Sequence, residues 1–229
     1  AVVVSDTDNG LKKAGRGKEM GLQIVKAMKE QKLDIEKALF ANVARDSGSG
    51  TGKRYLAGLG AWLTTNTVFE SGNSGADPTG DGTDARTDDG TPVAFSQTRL
   101  DTAMQAIWES GGSPEKVFLS SFQMNKALGF TGNNNQRSTV ASSDRKVTNN
   151  LKIYVTPWGD VEFVMSRENR SRDVFIVQPN MWKIATLRGT RNEELAKTGD
   201  STKRQIVTEL TLESCNEKAS GAVYDNTTS

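Results

Sequence analysis

From residue 12 to residue 44 no proline interrupts the chain. Met20, Ile24, Met28, Ile35 and Leu39 recur at helical spacing, and Leu22, Val25, Leu33 and Phe40 add a second apolar strip. The pattern predicts one long helix over 12–44, loosened at its start by Gly10, Gly15 and Gly17. Taken as about 30 residues it would run on the order of 45 Å, comparable to a domain's width, a spine on which other elements rest. Residues 1–4 read as part of a strand. Because the first residue is Ala1 rather than Met, further sequence is expected upstream.

The run DSGSGTG at 46–52 breaks the helical pattern, Leu56 to Leu63 with Trp62 recovers apolar character, and residues 64–92 lose it again in a long Gly/Asp/Thr/Ser loop. From Ser96 the periodicity is sharp: Leu100, Ala103, Met104, Ile107 and Trp108 share a helix face that Gly111 and Gly112 close, and Thr98 and Asp101 have capping-box spacing. KVFLS at 116–120 reads as a short buried strand and 122–128 as a short helix. After the polar stretch GNNNQRSTVASSDRK, LKIYVT and VEFVM flank a Pro157-Trp158-Gly159-Asp160 turn as a hairpin. DVFIVQ and WKIATL flank Pro179-Asn180 as a second pair. Ile206, Thr208, Leu210 and Leu212 alternate with Gln205, Glu209, Thr211 and Glu213, a half-buried strand with an acidic outer face. Helices early and strands late make the class α+β, with no internal repeat.

Composition narrows the chemistry. The chain has 229 residues, enough for one large domain or two small ones, and a formal net charge of +1, which argues against a DNA-reading role. There is no histidine, which removes the commonest acid/base group and transition-metal ligand, and Cys215 is the only cysteine, so no intrachain disulfide or cysteine-rich zinc site can form. No run approaches the roughly 20 apolar residues of a membrane-spanning helix, no signal peptide is visible, and a soluble protein is expected.

The stretch GADPTGDGTDARTDDG at 75–90 holds five aspartates and one arginine. Asp77, Asp81, Asp84, Asp88 and Asp89 do not fit the calcium-loop template of spaced oxygen ligands with glycine at six and glutamate at twelve, so the expected role is a solvated or partner-facing loop. SGSGTGKR at 47–54 imitates a phosphate-binding loop, but Ser47 stands at the first glycine, Arg54 replaces the hydroxyl residue, and the segment follows a helix. It reads as a flexible exit from the spine. Lys12, Lys13, Arg16, Lys18, Lys26, Lys29, Lys32 and Lys37 bias the long helix basic while 70–89 is acidic; between tiled copies such patches would set register. Asn169 and Asn226 open glycosylation tripeptides that carry little meaning without a secretory signal.

Four stretches, DIEKALFANVA at 34–44, LAGLGAWLTTN at 56–66, GADPTGDGTDARTD at 75–88 and the run from LAKTGD at 195 to 229, resemble the major capsid proteins of tailed bacteriophages, the SU10-like branch of the HK97 fold, in that family's order. The resemblance implies an α+β capsid fold. Residues 1–55 would be the end of an extended loop and the spine helix of a peripheral domain, 56–190 an axial domain with the long polar loop, and 191–229 a return to the peripheral domain. An amino-terminal arm and most of the extended loop would precede Ala1.

The function so implied is a coat subunit that self-assembles, as pentamers and hexamers, into the icosahedral head around a double-stranded DNA genome. Portal, scaffold and cement proteins are candidate partners, DNA contact is expected to be weak and nonspecific, and no membrane is involved. The expected location is the virion, assembled in the host cytoplasm. No catalytic, cofactor-binding or metal residue is assigned. The candidate subunit-interface residues are Asp77, Asp81, Asp84 and Arg86 in the loop and Lys197, Asp200, Lys203 and Arg204 near the end. An encapsulin-type compartment shell is the alternative, followed by a calcium-dependent decoration or adhesion module. A carboxylate-pair glycosidase could draw on Glu162, Glu168, Glu209 and Glu213, but nothing in the sequence brings two of them together.

Overall fold

The computed structural model describes residues 1–15, 17–69, 75–130 and 153–228, and in it the chain divides into two units. The smaller comprises Ala1–Lys37 and Ile184–Thr211, the larger Ala38–Lys183 and Leu212–Ser229. Everything after Thr211 belongs to the larger unit.

The expected helix over 12–44 is shortened at both ends to residues 19–40, and a separate short helix precedes it. Helix α1 (Asp6–Gly10) follows strand β1 (Val2–Ser5), with the Ser5 hydroxyl accepting from the Asp8 amide, and α2 spans Glu19–Phe40. Gly15 sits at φ +75°, a conformation that breaks the helix between them. At about 33 Å, α2 is shorter than its periodicity suggested. Its second apolar strip reaches the core at Phe40, whereas Val25 and Leu33 are each half exposed. The carboxyl end stops where the returning chain presses against it: a Cβ on Gly58 would stand 2.0 Å from the Ala41 carbonyl oxygen.

In the smaller unit a three-stranded sheet has the order β1-β8-β7, where β7 is Trp182–Glu194 and β8 is Ser201–Ser214. Strand β1 runs antiparallel to β8, with Val2 opposite Arg204 and Ser5 opposite Ser201. Gln31 of α2 donates to the Thr208 hydroxyl at 3.1 Å, fastening the helix to this sheet.

The larger unit is built on six strands in the order β2-β9-β6-β3-β5-β4, where β2 is Thr67–Val68, β3 Lys116–Leu119, β4 Ile153–Thr156, β5 Gly159–Met165, β6 Val174–Val177 and β9 Gly221–Val223. The first hairpin forms in register, Ile153 opposite Glu162 and Thr156 opposite Gly159. The polar stretch before it, 132–146, lies outside the described residues. The second expected pair does not form. All four residues of β6 are buried, which demands a central place between β9 and β3, whereas β7 belongs to the other sheet.

One face of the six-stranded sheet is covered by α3 (Gln97–Glu109) and α4 (Ser121–Leu128), which bury Leu100, Met104, Ile107 and Ala127 against Val117, Val161, Phe163 and Ile176. The cap of α3 is Ser96, accepting from the Arg99 amide, rather than the Thr98–Asp101 pair; Asp101 instead accepts from the Tyr154 hydroxyl at 2.9 Å. Ser120 caps α4 in the same way, and Gly111 at φ +81° closes α3. On the opposite face Phe40, Leu59, Leu63 and Tyr224 cover Phe175 and Val177, with Phe118 packed against them. That cover ends partway. Ile153 and Val155, whose cross-strand partners Glu162 and Asp160 share their face, remain exposed.

Candidate functional site

The aspartate loop is fastened to its own chain. Its arms close as an antiparallel bridge in which the Ala76 and Thr87 amides donate to each other's carbonyls at 3.0 and 2.9 Å. At the tip, Gly80 and Gly82 adopt φ of +82° and +77°. There Asp84 accepts from the Thr79 amide and hydroxyl, and Asp81 from the Thr83 hydroxyl and amide and the Thr79 hydroxyl. The hydrogen bonds from Thr83, first the hydroxyl and then the amide, hold the Asp81 carboxyl down at about 2.

Behind the tip, Arg86 is buried, its side chain 1% exposed. Its guanidinium meets Asp225 at 2.5 Å, Asp77 at 3.4 Å and Asp88 at 3.5 Å, and lies over the rings of Tyr224 and Phe69 at 4.3 and 5.0 Å. Asn42 exchanges two hydrogen bonds with the Arg86 backbone, donating at 2.7 Å and accepting at 2.9 Å. Asp225, the one described non-glycine residue with positive φ at +54°, also accepts from the Asp89 amide at 3.0 Å and from Arg172 at 2.8 Å. Arg172 donates further to the Asp89 carbonyl, and Arg170 pairs with Asp88 and, at 3.0 Å, with fully buried Asp173. Burial is the main cause that pushes Asp173 up to about 6, and it also raises Asp77 against the lowering influence of Thr67 and Arg86.

The arrangement neutralises rather than catalyses. Three guanidinium groups on two segments hold the loop's aspartates and the tail's Asp225 in one partly dry network, the kind of buried polar set that fixes one backbone geometry. Among the described residues no group of three or more acidic or cysteine side chains is arranged to hold a metal ion. The 47–54 segment forms an exposed loop, closed by paired hydrogen bonds between Asp46 and Tyr55.

The eight interface candidates fall in different surroundings. Asp81 is exposed at the loop tip and Asp84 half-buried beside it; Asp77 is half-buried and accepts from Thr67 at 2.5 Å. Arg86 is buried, and its guanidinium faces Asp225, Asp77 and Asp88 of its own chain. Lys197, Asp200, Lys203 and Arg204 gather at the turn between β7 and β8, where Lys197 pairs with Asp6 at 2.6 Å and Arg204 with Glu194 at 2.9 Å. The glycosylation tripeptides are interior: Asn169 donates to the Phe118 and Asp173 carbonyls, and Asn226 donates to Val223 and Arg172 and accepts from Arg99. Of the glutamates, Glu209 is paired with Arg188 at 2.7 Å.

Sequence reasoning missed Arg170, Arg172, Asp173 and Asp225, although one signal was available. R-S-R-D runs directly into the wholly apolar VFIV strand, and Y-D-N leaves GAV, so charged residues sit at the mouths of buried strands.

An α+β chain with a long helix, one large and one small sheet and a fastened polar loop has the HK97-like architecture of capsid shells. In the cyanophage A-1(L) capsid asymmetric unit a chain superposes with a TM-score of 0.65 at 14% identity, over 98% of this chain and 75% of that one. The SrpI encapsulin of Synechococcus elongatus PCC 7942 gives 0.59 at 9% identity, over 98% and 71%. A chain of the satellite phage P4 procapsid gives 0.52 at 14%, over 91% and 64%. At such identities the shared property is the fold. Sequence decides the family: the SU10 major capsid protein model matches residues 1–227, and the chain belongs to that family. It is a structural shell protein of the virion capsid. No curated protein sequence matches the chain.

Proposed function

We propose that this chain is the coat subunit that many copies of itself tile into the icosahedral head of a tailed phage, closed around double-stranded DNA and carrying out no catalysis. The observation that carries the reading is the family match over residues 1–227. Surface chemistry supports it: Ile153, Val155 and Trp108 are about half exposed and Leu187 is 80% exposed, apolar area of the kind that neighbouring copies bury. Ring closure needs two different patches on each subunit, and the exposed loop tip with Asp81 and Asp84 and the turn with Lys197, Asp200, Lys203 and Arg204 offer charges of opposite bias for that role.

A net charge of +1 suits confinement of DNA rather than tight binding, so lining contacts are weak and salt-sensitive. Portal, scaffold and cement proteins are the further partners, and assembly takes place in the host cytoplasm. An encapsulin-type compartment is the second reading, supported by the fold shared with SrpI. Electron microscopy of particles purified from expressing cells separates the two: packaged nucleic acid or attached portal supports a phage head, whereas a closed shell filled with protein cargo supports the compartment.

A further inference from the structure

Arg170 is shared between two carboxylates. Asp88 belongs to the 75–90 loop and is about a third exposed; Asp173, fully buried, follows three residues after Arg170 and closes its own turn by donating its backbone N–H to the Arg170 carbonyl. Among the described residues, neither Asp173 oxygen makes a hydrogen bond, and its one close cation is Arg170 at 3.0 Å. The surrounding network holds Asp77, Asp88, Asp89, Asp173 and Asp225 against Arg86, Arg170 and Arg172, an excess of acid over base in partly buried surroundings. Facing Asp173 are Arg170 from its own turn, Asp88 and Arg86 from the loop, and Asp225 from the tail, with the Tyr224 hydroxyl buried nearby.

We propose that the fastening of the 75–90 loop is proton-linked: when the Asp173 carboxylate takes up a proton it surrenders Arg170 to Asp88, and the loop is held more firmly at mildly acidic than at alkaline pH. The chemistry follows from competition. With Asp173 ionised, one guanidinium serves two anions, and Asp88, with more access to water, is the one that can leave. With Asp173 neutral, Asp88 is the sole anion on Arg170, and the like-charge repulsion from Asp88 and Asp225 onto Asp173 disappears.

Burial is the main cause that raises Asp173 from 3.8 to about 6, and the Asp88 carboxylate adds to the rise. The Asp88 share belongs to the fastened loop, so protonation of Asp173 favours fastening, and that gain is lost as pH rises through about 6. The chain contains no histidine, which leaves this window free of the side chain that ordinarily dominates it.

Amide hydrogen exchange of the full chain at pH 5 and pH 8, corrected for intrinsic rates, reads the fastening at Ala76, Thr87 and Asp89, whose amides are bonded in the closed loop. Protection is expected to be severalfold higher at pH 5. Asp173→Asn should keep high protection at both pH values, and Asp88→Asn should lower it and remove the difference. Should Asp173→Asn fail to fold, Asp88→Asn alone decides. Equal protection of the unsubstituted chain at both pH values, or an undiminished pH difference in either variant, overturns the proposal.

Discussion

The guanidinium of Arg86 and the carboxylate of Asp225, 139 residues apart in sequence, meet at 2.5 Å with both side chains almost wholly buried. This ion pair ties the middle of the polar loop to the end of the chain, and Arg172 and the Asp89 amide complete the carboxylate's shell. A loop whose composition reads as solvated is thereby a fixed element of the larger unit.

Removing one partner of a buried pair costs about 3–5 kcal/mol where the other charge is left alone, and Asp77 and Asp88 still face Arg86, which makes that an upper value here. Asp225→Ala should therefore lower the unfolding free energy of unassembled subunits by up to that amount in denaturant titration, and should open residues 75–90 to proteases. An unfolding midpoint unchanged from the parent chain would show that the pair contributes little.

Asp81 behaves differently because its partners are local and exposed. Asp81→Ala combined with Asp84→Ala should leave the stability of the unassembled subunit close to that of its parent while lowering the yield of closed particles. The carboxyl of Asp81 is held down from 3.8 to about 2, so its stabilising contribution is present above about 4 and lost as pH falls through about 2. The acid side of the stability profile should be shallower in the double variant. Normal particle yield and heat resistance would remove the loop tip from the contacts between copies.

Met104 is fully buried between α3 and the six-stranded sheet. Met104→Ala should cost about 2–5 kcal/mol, the range for large-to-alanine changes in a packed core. Calorimetry of the unassembled chain reads it as a lowered midpoint, and a change under about 1 kcal/mol would mean that the helix is not packed as described.

Gly58 tests the turn that ends α2. The Cβ of any side chain there would stand 2.0 Å from the Ala41 backbone carbonyl oxygen, so Gly58→Ala should reduce the yield of folded protein even though alanine is small. Full recovery of folded protein with parental stability would contradict the close approach.

Local signals carried much of the fold. The i, i+3, i+4 spacing of Leu100, Ala103, Met104 and Ile107 found α3, and the Pro157–Asp160 turn found the β4–β5 hairpin, because in both cases the partners lie close in sequence. The pairing of β6 was not legible. A four-residue apolar run next to a proline turn fits a hairpin as well as a central strand, and only its burial on both faces separates them. The same limit hid the charge network. Arg86 could be read as an exposed partner of the loop's aspartates, since nothing between Asp88 and Asp225 in sequence announces that the tail returns beneath the loop. The start of α2 was overextended because periodicity continues through Lys12 and Lys13, while Gly15 at positive φ sets the break.

The most direct test of the coat reading is the mass and shape of the particles formed by the full-length protein, measured by light scattering and cryo-electron microscopy. Closed icosahedral shells built from rings of this chain are the result expected. A species that stays monomeric at every concentration, pH and salt condition would contradict it.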